Sequence, residues 1–430
     1  MDQNVDIIRG PAADDSDELG TFARIARALL LSQLKKLRHG RLHLIDRDRE
    51  ETFGALTELG PFDVTIRVRD ARFYSDAVFA GTTGAGEAYM QGYWDCDNLT
   101  ALVRLMVVNR DLMNDVDTGW SRASAPLFKL AHFLNRNTSQ GSRRNIAHHY
   151  DLGNRFFELF LDETMAYSCG IFPGADATLH AASLTKFDAV CSKLALRPGQ
   201  HVLEIGTGWG GLAIHAARNY GCHVTTTTIS HEQYQLAREN VARAGLDDCI
   251  TVLLEDYRNL NGQFDALMSI EMVEAVGHQY IDTYFRQCGR LLHSHGAMLL
   301  QAITIRDQFY ASARKSVDFI KRFIFPGSFI PSVQALVDSM ARSSDLKLFH
   351  LEDIGPHYAR TLQMWRERLM ANQAQVRAQG FPDSFLRMWE YYLSYCEGGF
   401  EERQLGDVQM LLTKPRSRRA SLTTIHAPAA

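Results

Sequence analysis

The sequence predicts an α/β protein with a doubly wound parallel sheet, preceded by a small α+β domain. From about residue 200 onwards, strand-like and helix-like segments alternate, which is typical of such a sheet. A glycine-rich turn follows the first of these strands, where glycine lets the backbone approach a nucleotide. Near residue 65 a separate segment alternates polar and apolar side chains, as a half-buried strand does.

Length and composition limit the classes of protein that fit. The 430 residues predict two or three domains, and the net charge of -4 gives no reason to expect nucleic acid as a partner. The seven cysteines form no CxxC pair, so we expect reduced thiols and no metal site. No stretch reaches the roughly 18 apolar residues of a membrane span, and the N-terminus is unlike a signal peptide. We therefore expect a cytoplasmic protein with at most peripheral membrane contact.

The first domain is predicted over residues 1–134. It is expected to comprise a disordered start (residues 1–18), a helix (Thr21–Leu37), short strands (residues 41–80, including Val64–Arg69), a turn (Gly81–Gly86) and a helical stretch (residues 87–118). The first helix is amphipathic and leads into Lys35 and Lys36. It fits a helix packed on its own domain, and it also fits one that lies on an anionic membrane. Membrane docking and formation of a homodimer are the expected uses of this domain.

A polar, basic linker is predicted over residues 135–144, and the second domain over residues 145–413. Its predicted elements are strands at 201–205, 223–229, 250–254, 264–270 and 297–305, and helices at 212–220, 233–244 and 280–292. Residues 306–400 are interpreted as a helical, aromatic-rich cap over the carboxyl edge of the sheet. Asp407–Thr413 is interpreted as a last strand, and residues 414–430 as a disordered tail.

The glycine turn reads VLEIGTGWGG, from Val202 to Gly211. Its GxGxxG spacing also fits a dinucleotide-binding oxidoreductase. Glu204 favours a methyltransferase, because a carboxylate there can help to place the cationic methionine end of S-adenosylmethionine and would repel a pyrophosphate. The second strand ends without an acid, so Thr228 and Gln233 are candidates for hydrogen bonds to a ribose. A plain helix start capped by Ser230 fits the same residues.

The chain resembles the cyclopropane fatty acid synthases and their relatives, including the mycolic acid methyltransferases, over residues 85–412. The segments that carry this resemblance are GEAYMQGYWDCDNL (Gly86–Leu99), HYDLGNRFFELFLDETMAYSCGIF (His149–Phe172), VLEIGTGWGGLA, TISHEQ, EDYRNL, IEMVEAVG, DFIKRFIFPGSFIPS (Asp318–Ser332) and YCEGGF (Tyr395–Phe400). The resemblance implies a class I methyltransferase sheet, which is Rossmann-like, with a helical cap.

The resemblance also implies roles for individual residues. The cofactor contacts that it implies, together with Glu204, are Tyr167, Ser168, Gly206, Gly208, Thr228, Ile229, Gln233, Asp256, Tyr257 and Ile270. It implies a bicarbonate ion in a pocket that corresponds to Cys169, Glu274, Tyr358 and Cys396. This chain has Gln301 where several bacterial and mycobacterial members have histidine, whereas the plant synthases look like this chain there. These five residues are the expected catalytic set.

The activity that the resemblance implies is transfer of a one-carbon unit from S-adenosylmethionine to the double bond of an unsaturated phospholipid acyl chain. Bicarbonate would take the proton whose loss closes a cyclopropane ring. A methylene or methyl branch, methylation of a non-lipid small molecule, and a silent lipid- or cofactor-binding protein are the alternatives. Seven aromatic residues fit either a cation-stabilising pocket or a packed core: Tyr167, Phe172, Tyr310, Phe319, Phe323, Phe325 and Tyr358. Four basic residues fit either lipid head groups or a solvated face: Arg314, Lys315, Lys321 and Arg322.

Overall fold

The computed structural model describes residues 21–110 and 152–422. The predicted disordered start, the linker over residues 135–144 and the beginning of the segment His149–Phe172 lie outside the described residues. Residues 414–422 are described and have no regular secondary structure, but they are not detached from the domain. The Arg419 guanidinium donates to the carbonyl of Leu194 at 2.7 Å, and the Lys414 ammonium pairs with Asp345 at 2.6 Å. The prediction of a disordered tail is therefore wrong for this stretch.

The first described region is α+β, as the sequence predicts. Its four strands are β1 (Gly40–Asp46), β2 (Arg49–Ala55), β3 (Asp63–Val68) and β4 (Trp94–Cys96), in the order β2-β1-β3-β4. Only β1 and β3 run parallel among these pairs. Its four helices are α1 (Thr21–Leu34), α2 (Arg72–Phe79), α3 (Gly81–Met90) and α4 (Leu99–Val108).

Three local predictions in this region are wrong. Residues 72–79 form a helix and not a strand, and β4 interrupts the helical stretch predicted over residues 87–118. The segment Gly81–Gly86 is the start of α3 and not a turn. Its glycines serve close packing, because a Cβ on Gly86 would lie 2.5 Å from the ring of Phe319. This packing partner lies more than 200 residues away in the chain, so the local residue pattern that predicts turns does not reveal it.

The second region contains a seven-stranded sheet with helices on both faces. Its strands are β5 (His201–Ile205), β6 (His223–Thr228), β7 (Ile250–Leu254), β8 (Phe264–Ile270), β9 (Leu292–Ile305), β10 (Lys347–Asp353) and β11 (Leu405–Thr413). Their order is β10-β11-β9-β8-β5-β6-β7, with β11 antiparallel to both β9 and β10 and the other pairs parallel. The doubly wound class I methyltransferase sheet is confirmed.

The helices of this region are α5 (Asn154–Phe157), α6 (Leu179–Leu194), α7 (Gly211–Tyr220), α8 (His231–Arg243), α9 (Ile281–Leu291), α10 (Asp307–Ala313), α11 (Val333–Ser343), α12 (Gly355–Ala371), α13 (Gln373–Ala378) and α14 (Asp383–Glu401). Ser230 caps α8, since its hydroxyl accepts a hydrogen bond from the Gln233 backbone amide. The predicted helical cap over residues 306–400 is helical except for β10. That strand lies at the edge of the sheet and forms backbone pairs with β11 only, so none of its side chains is fully buried and its strand pattern is weak.

The two described regions share one hydrophobic core, and α14 is the element that joins them. Tyr89 on α3 donates from its hydroxyl to Glu390 at 2.8 Å, and Arg387 donates to the carbonyl of Trp94 at 2.7 Å. Arg104 on α4 pairs with Glu402 at 2.7 Å. Close approach of α4 and α14 requires Gly398, because a Cβ there would lie 2.8 Å from the side chain of Val103. The first region is thus fixed onto the cap of the second.

We predict that Gly398→Val lowers the free energy of unfolding by about 1–3 kcal/mol, because the added side chain overpacks the contact between α4 and α14. Thermal unfolding followed by circular dichroism measures this. Gly174→Val is the matched control, since a Cβ at Gly174 meets nothing within 4 Å. Equal melting temperatures for the two variants would contradict the close packing of these helices.

Candidate active site

A cavity of about 920 Å³ opens at the carboxyl ends of the parallel strands. Gly206 follows β5, Thr228 ends β6, Asp256 lies just beyond β7 and Ile270 ends β8, and all four residues line the cavity. The carboxyl edge is where doubly wound sheets bind their ligands. The eleven residues predicted as cofactor contacts all line this one cavity: Tyr167, Ser168, Glu204, Gly206, Gly208, Thr228, Ile229, Gln233, Asp256, Tyr257 and Ile270.

The glycine turn after β5 has a backbone that side chains other than glycine rarely adopt. The φ angles are +100° at Gly206, +53° at Gly208 and +91° at Gly210. Gly210 lies directly before α7, so the turn passes from strand to helix within a few residues. The turn therefore brings bare backbone to the cavity wall, which suits close contact with a nucleoside.

Glu204 is a buried carboxylate beside this turn. It accepts a hydrogen bond from the Thr226 hydroxyl at 2.5 Å, and Lys186, a buried lysine that also lines the cavity, is the nearby cation. Burial raises the pKa of Glu204 to about 8, although the Thr226 hydroxyl and Lys186 oppose that rise. A cation that enters beside Glu204 gains a charge partner shielded from water, so this position favours a positively charged ligand.

The helix cap by Ser230 is present at the end of β6, whereas the contact of Thr228 and Gln233 with a ribose stays a prediction. The Thr228 hydroxyl donates to the side-chain oxygen of Gln233 at 2.8 Å, and both side chains also border the cavity. Asp256, which follows β7, is held by the guanidinium of Arg258 at 2.5 Å. The acid that the sequence lacks at the end of β6 is thus present after the neighbouring strand, β7.

The centre of the predicted catalytic set is a residue that we did not predict, Glu271. One carboxylate oxygen accepts from the Cys169 backbone amide at 2.9 Å and from the Gln301 side-chain amide at 2.8 Å. The other accepts from the Tyr358 hydroxyl at 2.6 Å. Three of the five predicted catalytic residues therefore converge on this carboxylate, which itself lines the cavity.

The backbone of Glu271 is also unusual, because its φ is +47° directly after the end of β8. Residues other than glycine occupy this left-handed region at a cost of about 1–3 kcal/mol, and they cluster at functional sites. The sequence did contain a signal. IEMVEAVG has two glutamates at the carboxyl end of a buried strand, and the family pattern directed attention to the second alone.

A chain of hydrogen bonds fixes which way the Gln301 amide points. The Lys193 ammonium, which can only donate, binds the side-chain oxygen of Gln409 at 2.6 Å. The Gln409 amide nitrogen therefore faces the Gln301 oxygen, at 2.9 Å. The Gln301 nitrogen in turn donates to Glu271 and, at 3.0 Å, to Asp407. Gln301 thus acts as a donor to two buried carboxyl groups.

The other predicted catalytic residues stand apart from these contacts. Glu274 lines the cavity and accepts from the Ile303 backbone amide at 2.6 Å, while its second oxygen is buried without a partner. Burial, together with the charge of Glu271, raises the pKa of Glu274 to about 8. The Cys169 thiol is buried and points at the carbonyls of Gly170 and Ile354. Cys396 borders the cavity, and burial raises the pKa of its thiol, so neither cysteine is placed as a thiolate.

The residues present fit S-adenosylmethionine and do not fit a bicarbonate ion. The glycine turn and the buried Glu204 suit a nucleoside that carries a positive charge. The donors of the expected bicarbonate pocket, in contrast, already bind Glu271. A bicarbonate ion would also bring a further negative charge beside the carboxyl groups of Glu271 and Glu274, which line the cavity, and of the fully buried Asp407.

The aromatic residues divide into two groups. Tyr167, Phe325 and Tyr358 line the cavity, and the Tyr167 hydroxyl lies 3.0 Å from that of Tyr392. The other four predicted aromatics do not line it and belong to packed regions or other contacts: Phe172, Tyr310, Phe319 and Phe323. Sequence reasoning missed the cavity-lining aromatics of α14, which are Tyr391, Tyr392, Tyr395 and Phe400.

The cavity continues into the first region as an apolar chamber. Its walls there come from both the sheet and the helices: Leu30, Leu34, Leu42, Leu44, Ile66, Phe73, Ala77, Trp94, Leu99, Leu102 and Met106. Leu42 and Leu44 are fully buried side chains of β1, so this chamber lies inside the domain and not on its surface. A ligand that reaches from the glycine turn into the chamber needs a long apolar segment.

The basic residues near the cavity differ in their surroundings. Arg322 pairs with Glu87 at 2.7 Å, and the buried Lys321 ammonium donates to the carbonyls of Ala313 and Ser316. Lys315 is exposed and lines the cavity, whereas Arg314 is exposed and does not. Among the described residues, Asp162, Glu163 and His180 could together hold a metal ion, so the absence of a metal stays a prediction.

Comparisons with known proteins agree with this geometry. The family model described as mycolic acid cyclopropane synthetase matches residues 137–410. Tuberculostearic acid methyltransferase UfaA1 from Mycobacterium tuberculosis is 39% identical, with 78% of this chain and 79% of the relative covered. Cyclopropane-fatty-acyl-phospholipid synthase from Escherichia coli is 36% identical, with 83% and 89% covered. The structure of mycolic acid cyclopropane synthase CmaA1 complexed with SAH and CTAB is 31% identical, with a TM-score of 0.60 over 63% of this chain and 98% of that chain.

We predict that S-adenosylmethionine binds more tightly as the pH rises through about 8, because the Glu204 carboxyl, whose pKa is raised to about 8, is ionised only above that pH. Calorimetric titration between pH 6.5 and 9 measures the dissociation constant. Glu204→Gln is expected to bind about tenfold more weakly at high pH and to lose this dependence. A pH dependence that persists in Glu204→Gln would assign it to another group, such as Lys186.

Proposed function

Because the chain belongs to the mycolic acid cyclopropane synthetase family of S-adenosylmethionine-dependent methyltransferases, we propose that it transfers a one-carbon unit to the double bond of an unsaturated phospholipid acyl chain and forms a cyclopropane ring there. The observation that carries this proposal is the single cavity that joins the glycine turn to an apolar chamber. The 36% identical relative named cyclopropane-fatty-acyl-phospholipid synthase supports the choice of phospholipid as substrate.

The shape and lining of the chamber support an acyl chain as the substrate. The chamber walls are mainly apolar side chains of leucine, isoleucine, alanine and aromatic residues, and their polar members are Gln33, Thr82, Thr83 and Arg110. Burial of acyl CH₂ groups contributes about 0.8 kcal/mol each, so a chain of this kind binds without specific polar contacts. The chamber lies outside the matched segment 137–410, which gives the first region a part in substrate binding.

The chemistry requires alignment, exclusion of water and a proton acceptor. S-adenosylmethionine supplies an electrophilic methyl group. The alkene attacks that methyl, and a positive charge develops on the acyl chain. The rings of Tyr167, Phe325 and Tyr392 lie at the cavity and can stabilise this charge through their π faces. Glu204 and the glycine turn hold the cofactor, and the eleven cavity residues predicted from the sequence are proposed as its contacts.

The predicted catalytic residues are proposed in modified roles. Tyr358, Gln301 and the Cys169 backbone amide position the carboxylate of Glu271, while Glu274 and Cys396 form part of the wall around the reacting carbons. Bicarbonate stays a prediction from the family resemblance. The proposed reaction includes no step through bicarbonate, because the residues of the site leave no position at which the ion would bind.

Formation of a methyl or methylene branch is the second candidate. Its specific support is the 39% identical relative named tuberculostearic acid methyltransferase. The two outcomes share the methyl transfer and differ in which carbon of the charged acyl chain loses a proton. The position of the proton acceptor relative to the new methyl group therefore decides between them.

The exposed apolar face of helix α1 supports the proposal that the protein makes peripheral contact with the cytoplasmic face of a membrane. Three of its apolar side chains, Phe22, Ile25 and Leu29, are exposed by 62%, 53% and 38%, whereas Ala26, Leu31 and Leu34 are buried in the domain. The helix thus packs on its domain through one face and exposes a second apolar face, which supports the proposed contact with a membrane. Among the described residues, no helix is long and apolar enough to span a membrane.

Product analysis tests the proposed reaction. Purified protein is incubated with methyl-labelled S-adenosylmethionine and vesicles of monounsaturated phospholipid, and the released acyl chains are examined by mass spectrometry and NMR. We expect the label in a cyclopropane ring. Label in a methyl or methylene branch would establish the second candidate. Cofactor binding without label in lipid would refute the lipid substrate and favour a non-lipid small molecule.

Substitution on α1 tests the membrane contact. We predict that Ile25→Ser combined with Leu29→Ser weakens cosedimentation with anionic vesicles about tenfold or more, since the two changes remove apolar area that would be buried in the lipid. Phe349→Ser is the matched control, because Phe349 is an exposed apolar residue of β10. Unchanged vesicle binding, with a dimer that dissociates in sedimentation velocity, would show instead that this face joins two copies of the chain.

A further inference from the structure

Three hydrogen-bond donors from separate parts of the fold point at one position in the cavity wall. The Cys169 amide precedes the sheet, Gln301 lies on β9 and Tyr358 lies on α12. Three convergent donors are the arrangement that proteins use to hold a buried anion. Here the anion is the side chain of Glu271, so a carboxylate of the protein occupies the position that the family resemblance assigns to a free ion.

The charges around this position argue against a second anion there. Asp407 faces Glu271 and is fully buried, and Glu274 is the next acid along the chain. Lys186 is the cation that acts on Glu271 among the described residues, and its ammonium donates to the Ser168 hydroxyl at 2.8 Å. Because Lys186 already acts on the charge of Glu271, this one partly shared lysine does not compensate a further anion at the same position.

We infer that the carboxylate of Glu271 replaces bicarbonate and is itself the base that accepts the proton from the methylated acyl chain. This inference rests on the proposed function. Glu271 meets the geometric requirements of that role, because it lines the cavity, follows directly on the end of β8 and has an orientation fixed by three donors. Its strained backbone is consistent with a position kept for function.

The step balances without any further reactant. The alkene electron pair forms a bond to the methyl carbon, and the electrons of the broken carbon–sulfur bond remain on sulfur. The neighbouring acyl carbon is then electron-deficient. A Glu271 oxygen takes one proton from the new methyl group, and the electrons of that carbon–hydrogen bond form the third bond of the ring. The products are a cyclopropane, S-adenosylhomocysteine and a protonated Glu271, which then loses its proton to solvent.

The surrounding groups keep Glu271 in the form that the step needs. Burial and the charges of Glu271 and Glu274 raise the pKa of Asp407 well above its usual range, which favours the protonated form of Asp407 beside the Glu271 carboxylate. Burial also raises the pKa of Glu271, but Tyr358, the Cys169 amide, Lys186 and Gln301 oppose that rise. Since a base must be ionised, cyclopropane formation is present above the pKa of Glu271 and is lost as the pH falls below it.

The first test measures anion binding and needs no lipid. Carbon-13-labelled bicarbonate is titrated into the full chain, and binding is followed by NMR line broadening. We expect no saturable binding to the unsubstituted protein and saturable binding to Glu271→Gly, in which the three donors have lost their partner. Glycine suits the φ of +47°, so this variant is expected to fold, and thermal unfolding checks this. The inference would be overturned if bicarbonate bound saturably to the unsubstituted protein and bound equally well to Glu271→Gly. This outcome does not depend on whether any lipid is labelled.

The second test measures the product in bicarbonate-free buffer. We expect Glu271→Gln to bind S-adenosylmethionine as the unsubstituted protein does and to form cyclopropane about 10²-fold or more slowly. Two other kinds of product should increase: methylated alcohols, formed when water captures the charged acyl chain, and branched alkenes, formed when a neighbouring carbon loses a proton to water. A merely structural role would lower all products together. Added bicarbonate or formate should partly restore cyclopropane formation in Glu271→Gly and leave the unsubstituted protein unaffected.

Glu274→Gln is the comparison variant, since Glu274 is a second cavity carboxyl with a raised pKa. We expect its remaining product to be cyclopropane. Any one of three results would overturn the inference. Glu271→Gln could form cyclopropane at the rate of the unsubstituted protein, or the unsubstituted protein could require added bicarbonate. Alternatively, only Glu274→Gln could lose ring closure. An unsubstituted protein that labels no lipid would instead refute the proposed function, while the anion titration would still decide the occupancy of the site.

Discussion

The hydrogen bonding of the Glu271 carboxylate is the interaction on which the rest of the site depends. It joins the end of β8 to Gln301 on β9, to Tyr358 on α12 and to the amide of Cys169 before the sheet. An uncompensated buried carboxylate costs several kcal/mol, so these elements must stay together for the charge to remain. The constraint extends beyond the cavity, since Gln301 is itself oriented through Gln409 and Lys193.

The charge distribution of the cavity matches the proposed reaction. At the carboxyl edge of the sheet, the cavity is lined by the carboxyl groups of Glu204, Glu271 and Glu274, and the buried ammonium of Lys186 acts on Glu204 and Glu271. Such a cavity repels free anions and favours a cationic cosubstrate followed by a cationic acyl chain. Burial raises the pKa of both Glu204 and Glu274 to about 8, and the charge of Glu271 adds to the rise at Glu274.

The first region is part of the cavity because α14 serves two partners. One side of this helix packs on α3 and α4, which requires small residues at Gly86 and Gly398. Its tyrosines, such as Tyr391 and Tyr392, line the cavity on the other side. The apolar chamber inside the first region is therefore continuous with the glycine turn, and a long acyl chain can extend across both.

The sequence by itself determined the parallel strands and the turn at Gly206–Gly211, because continuous apolar runs and glycines with positive φ are local requirements. It also identified residues that line the cavity, since the segments that follow parallel strands all lie at the carboxyl edge of the sheet. Only the tertiary structure decided that Gly81–Gly86 is helical, that β10 joins the sheet edge, and that Glu271 occupies the position expected for a free anion. Each depends on a partner distant in the chain: a ring of Phe319, the ladder of β11, or the donors at Cys169, Gln301 and Tyr358. Local patterns contain no information about such partners, because burial and hydrogen bonding between distant residues arise only when the chain is folded.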